Sequence, residues 1–174
     1  MIDALKQDAP TVNTQGDSLI PLPEGASFRR ARTISDDRGT VCEMFDPRWG
    51  WHDDPLVFVY TFSLRPGKIK GWGLHKEHED RYFVISGEME VVMYDVREDS
   101  PTKGMVSKFV LSEYERGLLC IPTNVWHANV NIASKDTVVV NFPTKPYNHE
   151  APDKYRLPLD TDQIPYKFEN LRGW

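Results

Sequence analysis

The chain has no apolar run approaching the ~18 residues that would cross a bilayer as a helix. Its opening, MIDALKQDAPT, lacks the basic and apolar regions of a secretory leader. There are only two cysteines, Cys42 and Cys120, in apolar contexts and at no metal-binding or redox spacing. They read as reduced core thiols. No block of like charge occurs: 21 basic and 26 acidic residues are interspersed, for a net charge of −5. That excludes the basic footprint of nucleic-acid binding or of an anionic membrane surface. Helical periodicity is also missing, and only residues 111–115 read as a helical turn. The expectation is a cytoplasmic protein with neither nucleic acid nor membrane as partner.

What is present is β-pattern. Residues 1–27, with Pro10, Gly16, Pro21, Pro23 and Gly25, read as an extended arm. Short β-rich runs follow at 41–45, 56–64, 82–85, 89–94, 106–111, 117–121, 128–132 and 137–142. Turn signals such as Asp37-Arg38-Gly39, Arg65-Pro66-Gly67 and Ser86-Gly87 divide them. Strands at this spacing predict an all-β sandwich or jelly-roll barrel over residues 28–145. Residues 146–174, rich in proline, are expected to pack on the barrel as a coil with at most a short helix. Within 88–95, alternation puts Met89, Val91 and Met93 on one face, the better core candidate, and Glu88, Glu90, Val92 and Tyr94 on the other.

Two segments carry the groups that do chemistry. Gly71–Gly87 (GWGLHKEHEDRYFVISG) holds His75, His78 and the acids Glu77, Glu79 and Asp80; Cys120–Asn131 (CIPTNVWHANVN) holds His127. His75 and His127 each stand where a Gly- or Pro-marked turn enters a strand, which points to one shared pocket. If 73–79 is extended, His75 and Glu79 point one way and His78 and Asp80 the other, so His75 and His78 need a bulge to converge. His52 and His149 read as structural.

These segments resemble the two cupin motifs, with Pro122-x-Asn124-x-x-His127-x-x-x-Asn131 fitting the second except that Asn124 replaces its usual glycine. Within cupins the chain resembles the dTDP-4-dehydrorhamnose 3,5-epimerase family. The matching pieces are Asp37-Arg38-Gly39 with Glu43-Met44-Phe45, Gly73-Leu74-His75, and Asp95-Val96-Arg97-Glu98-Asp99-Ser100-Pro101-Thr102-x-Gly104. Ile121-Pro122 with Trp126-His127, and Pro143-Thr144-x-x-Tyr147, complete them.

The resemblance implies a homodimeric cupin jelly roll, without cofactor, that epimerises or isomerises a nucleotide-activated 4-keto-6-deoxy sugar. By it, His75 is the base that removes a proton next to the ketone, Asp160 orients it, and His127 binds or polarises the substrate. Arg38 meets the nucleotide diphosphate, with Glu43, Trp72, Asp80, Arg81, Asn131 and Asn141 completing the substrate site. Trp72 stands where the family has arginine, and Asp80 or Arg81 where it has lysine. Asn141 stands where the family has its proton-donating tyrosine, and an amide does not ionise as a phenol does. Tyr82, Tyr94 and Tyr147 are the candidates to replace it; without one, ring-proton exchange should outrun inversion.

Two other classes fit the same residues. A metal-dependent cupin isomerase or dioxygenase would hold one divalent transition metal on His75, His78, Glu79 or Asp80, and His127, a donor set suited to Fe, Mn, Ni or Zn. A non-catalytic carbohydrate-binding cupin would stack sugar on Trp49, Trp51, Trp72 or Trp126.

Overall fold

Met89, Val91 and Met93 are wholly buried, and they anchor the interior of a two-sheet structure. The computed structural model describes residues 5–169. Its strands are β1 (Ser27–Arg30), β2 (Thr33–Asp36), β3 (Gly39–Cys42), β4 (Tyr60–Leu64), β5 (Ile69–Leu74) and β6 (Asp80–Ser86). β7 (Glu88–Asp95), β8 (Val106–Ser112), β9 (Gly117–Ile121), β10 (Val125–Asn131), β11 (Thr137–Asn141) and β12 (Tyr155–Arg156) follow. Sheet one runs β1-β9-β6-β11-β4 and sheet two β12-β5-β10-β7-β8, with β2 and β3 forming a separate hairpin. All pairings are antiparallel. This is the cupin-type jelly roll. The only helical element among the described residues is a 3-10 turn, Pro47–Trp49. None is long and apolar enough to cross a membrane.

Three clusters follow from strand alternation. Inward residues of both sheets, among them Leu64, Tyr82, Val84, Phe109, Leu119 and Val139, join the β7 methionines between the sheets. Each fully buried side chain of this size contributes about 1.5–3 kcal/mol. The outer face of sheet two, with Ile69, Trp72, Val92 and Ala128, is covered by Leu157, Leu159, Ile164, Tyr166 and Phe168 of the tail. The outer face of sheet one, with Phe83, Leu118, Val140 and Phe142, is covered by Met44, Phe45, Trp49 and Trp51. Trp49 and Trp51 thus serve packing, and the Arg29 guanidinium lies 3.6 Å over the Trp49 ring.

Three expectations change. The helical turn at 111–115 is instead the end of β8 followed by a bend. The run at 56–64 becomes a strand only from Tyr60, because Leu56, Val57 and Val59 stay exposed and unpaired in the ladder. β5 was hidden by glycine: a Cβ on Gly71 would lie 2.4 Å from that of Ala128, so only glycine lets β5 approach β10 here.

The Asp95–Gly104 segment is a structural knot rather than a reacting group. The Asp95 carboxylate accepts from Arg97 Nε (2.9 Å), Ser100 Oγ (2.6 Å) and Thr102 Oγ1 (2.7 Å). Burial opposes its ionisation, but these donors hold its pKa far below the usual carboxylate range. The knot also grips the chain before β1: Arg97 Nη2 donates to Glu24 O (2.7 Å), and Glu24 N–H to Thr102 Oγ1 (2.8 Å).

Candidate active site

A cavity of about 150 Å3 opens between the two sheets at one end. Its floor is Asp80, the first residue of β6, 2% exposed. Alternation turns Asp80 and Tyr82 inward and sends Arg81 to the outer face. The carboxylate accepts from Tyr82 Oη (2.8 Å, Oδ2) and Asn141 Nδ2 (2.6 Å, Oδ1). Nε2 of His75 and of His127 stand 3.3 and 3.4 Å from Oδ2. Burial works against the charge, yet the hydrogen bonds from His127 and His75 hold Asp80 well below the usual carboxylate range.

His75 and His127 share the pocket, their ring centroids 5.5 Å apart. The turn before β10 is tied to the first motif, since Asn124 N–H donates to His75 O at 2.7 Å. Asn124 has φ +59°, the left-handed conformation that favours glycine and that Asn tolerates. Asn124 thus adopts a conformation that glycine, the usual residue of the motif, takes freely.

His78 departs from the extended-chain expectation. β5 ends at Leu74, and 75–79 form a loop that brings the His75 and His78 rings to 4.1 Å. The loop closes on Asp153. Its carboxylate accepts Lys76 N–H (2.9 Å), Glu77 N–H (2.8 Å) and His78 N–H (3.3 Å), and stands 2.9 Å from His78 Nδ1. Its backbone carbonyl faces His75 Nδ1.

Both ring nitrogens of His75 thus face oxygen acceptors, an arrangement that favours the charged ring over the neutral one. Burial pulls its pKa down, but the hydrogen bond and charge of Asp80, with the Asp153 carbonyl, outweigh burial and raise it. For His78, burial and the neighbouring His75 lower the pKa.

The rest of the lining is mixed in character. Tyr60 and Phe62 come from β4, and Lys70 of β5 comes with Lys154 and Arg156 of the tail; the Lys70 ammonium stands 5.1 Å over the Phe62 ring. Burial lowers the pKa of both lysines, as does the nearby Arg156. Sequence reasoning missed Tyr60, Lys70, Asp153 and Lys154. The one available signal was Lys70-Gly-Trp-Gly, where alternating glycines mark a close backbone approach.

Several expected site residues lie elsewhere. Asp160 is exposed, and among the described residues only its backbone oxygen is engaged, accepting from Lys167 Nζ at 3.1 Å; Asp153 stands where Asp160 was expected. Trp72 packs outward, its ring centroid 5.3 Å from that of Phe168. Arg81 donates to Asp54 O (2.9 Å), Pro55 O (3.0 Å) and Phe142 O (2.6 Å), fixing the loop before β4. Asn131 ties Leu64 O (2.7 Å) to Lys135 O (2.9 Å). Arg38 and Glu43 are exposed, Arg38 at the tip of the β2–β3 hairpin paired with Asp36. Of Tyr82, Tyr94 and Tyr147, only Tyr82 lines this cavity.

Two donor sets here lie within metal-binding reach: His75, Asp80 and His127, and His75, His78 and Asp153. Glu79 belongs to neither. It faces the outer side, its Oε2 2.6 Å from His52 Nε2, where it forms a third set with Cys120. In the first set both Asp80 oxygens already accept from Tyr82 and Asn141.

Residues 22–168 match the family model described as dTDP-4-dehydrorhamnose 3,5-epimerase. Over 143 residues the chain is 37% identical to a probable low-salt glycan biosynthesis epimerase, Agl13, of Haloferax volcanii, covering 81% of this chain and 91% of that protein. Over 150 residues it is 31% identical to the spore coat polysaccharide biosynthesis protein SpsL of Bacillus subtilis, covering 83% and 95%. The crystal structure of a dTDP sugar isomerase from Desulfovibrio desulfuricans superposes with a TM-score of 0.77 at 27% identity, covering 83% of this chain and 91% of that one. With the paired histidines, the jelly roll and a match spanning nearly its whole length, the chain belongs to the dTDP-4-dehydrorhamnose 3,5-epimerase family.

Proposed function

We propose that the chain epimerises a nucleotide-linked 4-keto-6-deoxy sugar, with His75 removing the proton next to the ketone. The observation that carries this is the placement of His75 in a cavity that also presents two lysine ammonium groups. A proton α to a ketone leaves only if negative charge on the oxygen is stabilised, and preorganised cations do this. Lys70 and Lys154 fill that role from β5 and the tail, in place of the arginine and lysine that the chain lacks at 72 and 80. The Asp153 carbonyl fixes the Nδ1–H of His75, which leaves Nε2 as the atom that takes the proton. His127 orients the substrate beside it.

Proton removal and return change no oxidation state, so this reaction needs no redox cofactor, and Lys70 and Lys154 supply the enolate stabilisation that a metal ion would otherwise give. Chelator treatment should therefore leave turnover and melting temperature unchanged. Loss of both, restored by one transition metal, would favour the His75, Asp80 and His127 donor set as a metal centre instead.

The same reading includes a homodimer. Arg38 does not line its own cavity, and its hairpin presents Ile34 (63% exposed) beside Val41 (69%), a cross-strand pair left largely uncovered by the described residues. Covering that pair with a second copy would bring Arg38 toward the partner's nucleotide.

The deciding experiment is incubation with dTDP- and UDP-linked 4-keto-6-deoxyglucose in deuterated water. Wild type should exchange a ring proton. His75→Asn should abolish the exchange while the nucleotide sugar still raises the melting temperature, and His127→Asn should weaken both. Normal exchange by His75→Asn would remove the assignment.

A further inference from the structure

Asn141 occupies the position from which a tyrosine would return the proton, and it leaves the question of what does so. The orientation of its amide is fixed: Oδ1 accepts Arg81 N–H at 3.0 Å, so Nδ2 turns toward Asp80 and donates to Tyr60 Oη at 2.9 Å. Tyr60 and Asn141 are direct register partners on β4 and β11. A phenol therefore stands one strand over from the vacated position, held by the residue that vacated it.

The hydroxyl accepts from Asn141, and among the described residues it donates to nothing, so its own proton is available to the cavity. The three tyrosines that the sequence offered are placed differently. Tyr82 spends its proton on Asp80 Oδ2 at 2.8 Å. Tyr94 packs with the tail on the outer face of sheet two. Tyr147 meets the His149 ring edge-on and lines a smaller adjoining cavity, shared with Tyr60 and His75, rather than the one that holds Asp80 and His127.

We propose that Tyr60 is the catalytic acid that delivers a proton to the sugar carbon from β4, in the cavity that His75 also lines; this rests on the epimerase reading above. His75 Nε2 takes the proton from the carbon next to the ketone, and the C–H electron pair forms the enolate, its oxygen facing Lys70 and Lys154. The enolate then collapses, and its carbon takes the Tyr60 hydroxyl proton on the other face, leaving a phenolate. The proton on His75 passes to solvent and solvent reprotonates the phenolate, so the net change is inversion alone. Burial and the charge of Asp80 push the Tyr60 pKa up to about 12, which keeps the phenol protonated at neutral pH. A carbon α to a ketone is a far weaker acid, so transfer to the enolate runs downhill. Asn141 stabilises the phenolate by donating to it. Tyr60 is 39% exposed, so a ligand in the cavity can reach it.

The test compares wild type, Tyr60→Phe and Tyr94→Phe with the same two nucleotide sugars in deuterated water, following ring-proton exchange and inverted product separately. Tyr60→Phe should keep exchange within ~3-fold of wild type while inversion falls at least ~100-fold, the scale of a lost general acid. Tyr94→Phe should do neither. Persisting exchange is itself proof that the variant is folded with its base intact. Inversion within ~3-fold of wild type in Tyr60→Phe, or an equal fall in both, overturns the inference and leaves the epimerase reading standing. So does a wild type that exchanges without inverting. A wild type that exchanges no ring proton overturns the epimerase reading, and the inference with it.

Discussion

His75 Nε2 lies 3.3 Å from Asp80 Oδ2, and this contact sets the pH at which the base can work. A base must be neutral, and Asp80 holds the His75 pKa above the ordinary 6.5. Ring-proton exchange should rise with pH through a midpoint above 6.5 and then level off. The stability linkage has the opposite sense: the contribution of charged His75 is full below 6.5 and lost as pH rises through the folded-state value. A pH–rate profile from pH 5.5 to 9 checks this, and a midpoint below 6 would remove Asp80 from the account.

Asp80→Asn keeps the shape and removes the charge. At pH 7 it should cost on the order of 3 kcal/mol, as breaking a buried ion pair does, and shift the exchange midpoint downward. Because the folded-state pKa of Asp80 lies well below 3.8, its contribution is present above that unfolded value and lost as pH falls through the folded one. Urea denaturation should show the gap to wild type closing in acid. A gap unchanged at pH 2 would count against an ionised Asp80.

Asp153 and Asp160 separate cleanly. Asp153→Ala leaves three backbone N–H groups and His78 without their acceptor, and should cost about 1–3 kcal/mol. It should also lower turnover, because the loop that carries His75 loosens. Asp160→Ala should stay within ~0.5 kcal/mol of wild type, as exposed substitutions do, with turnover intact. The reverse ranking would restore Asp160 as the orienting acid.

The lysines should act on rate more than on fold. Lys154→Met and Lys70→Met should each slow ring-proton exchange about 100-fold, the scale of one lost oxyanion contact, with small changes in melting temperature. Unchanged exchange in both variants would place the enolate oxygen elsewhere.

Assembly can be tested at the hairpin. Light scattering of wild type should give twice the 20.1 kDa chain mass. Ile34→Asp with Val41→Asp should return it to the single-chain value with sheet structure preserved by circular dichroism. A dimer that survives both substitutions would move the interface off this hairpin.

The local alternation of apolar and polar residues was enough to determine the β class, most strands and the buried face of β7. Period-two patterning needs no knowledge of partners. The two motif histidines and their common pocket were also legible, since each follows a turn signal that fixes where a strand begins. Asp80 entered as a substitute for a missing lysine, and Asn141 as a lost tyrosine.

What only tertiary structure decided is how those residues combine. A side chain's neighbours across a sheet depend on register between strands far apart in the chain. Nothing near Asn141 in sequence shows that Tyr60, 81 residues away, accepts its hydrogen bond. Nothing near Glu77 shows that Asp153 caps its loop, 76 residues on. Arg81 and Trp72 failed as site residues for the same reason: strand geometry sends them to the outer faces, where loop carbonyls and the tail receive them. The sequence determined which chemistry was available. The pairing of strands decided which groups share a cavity.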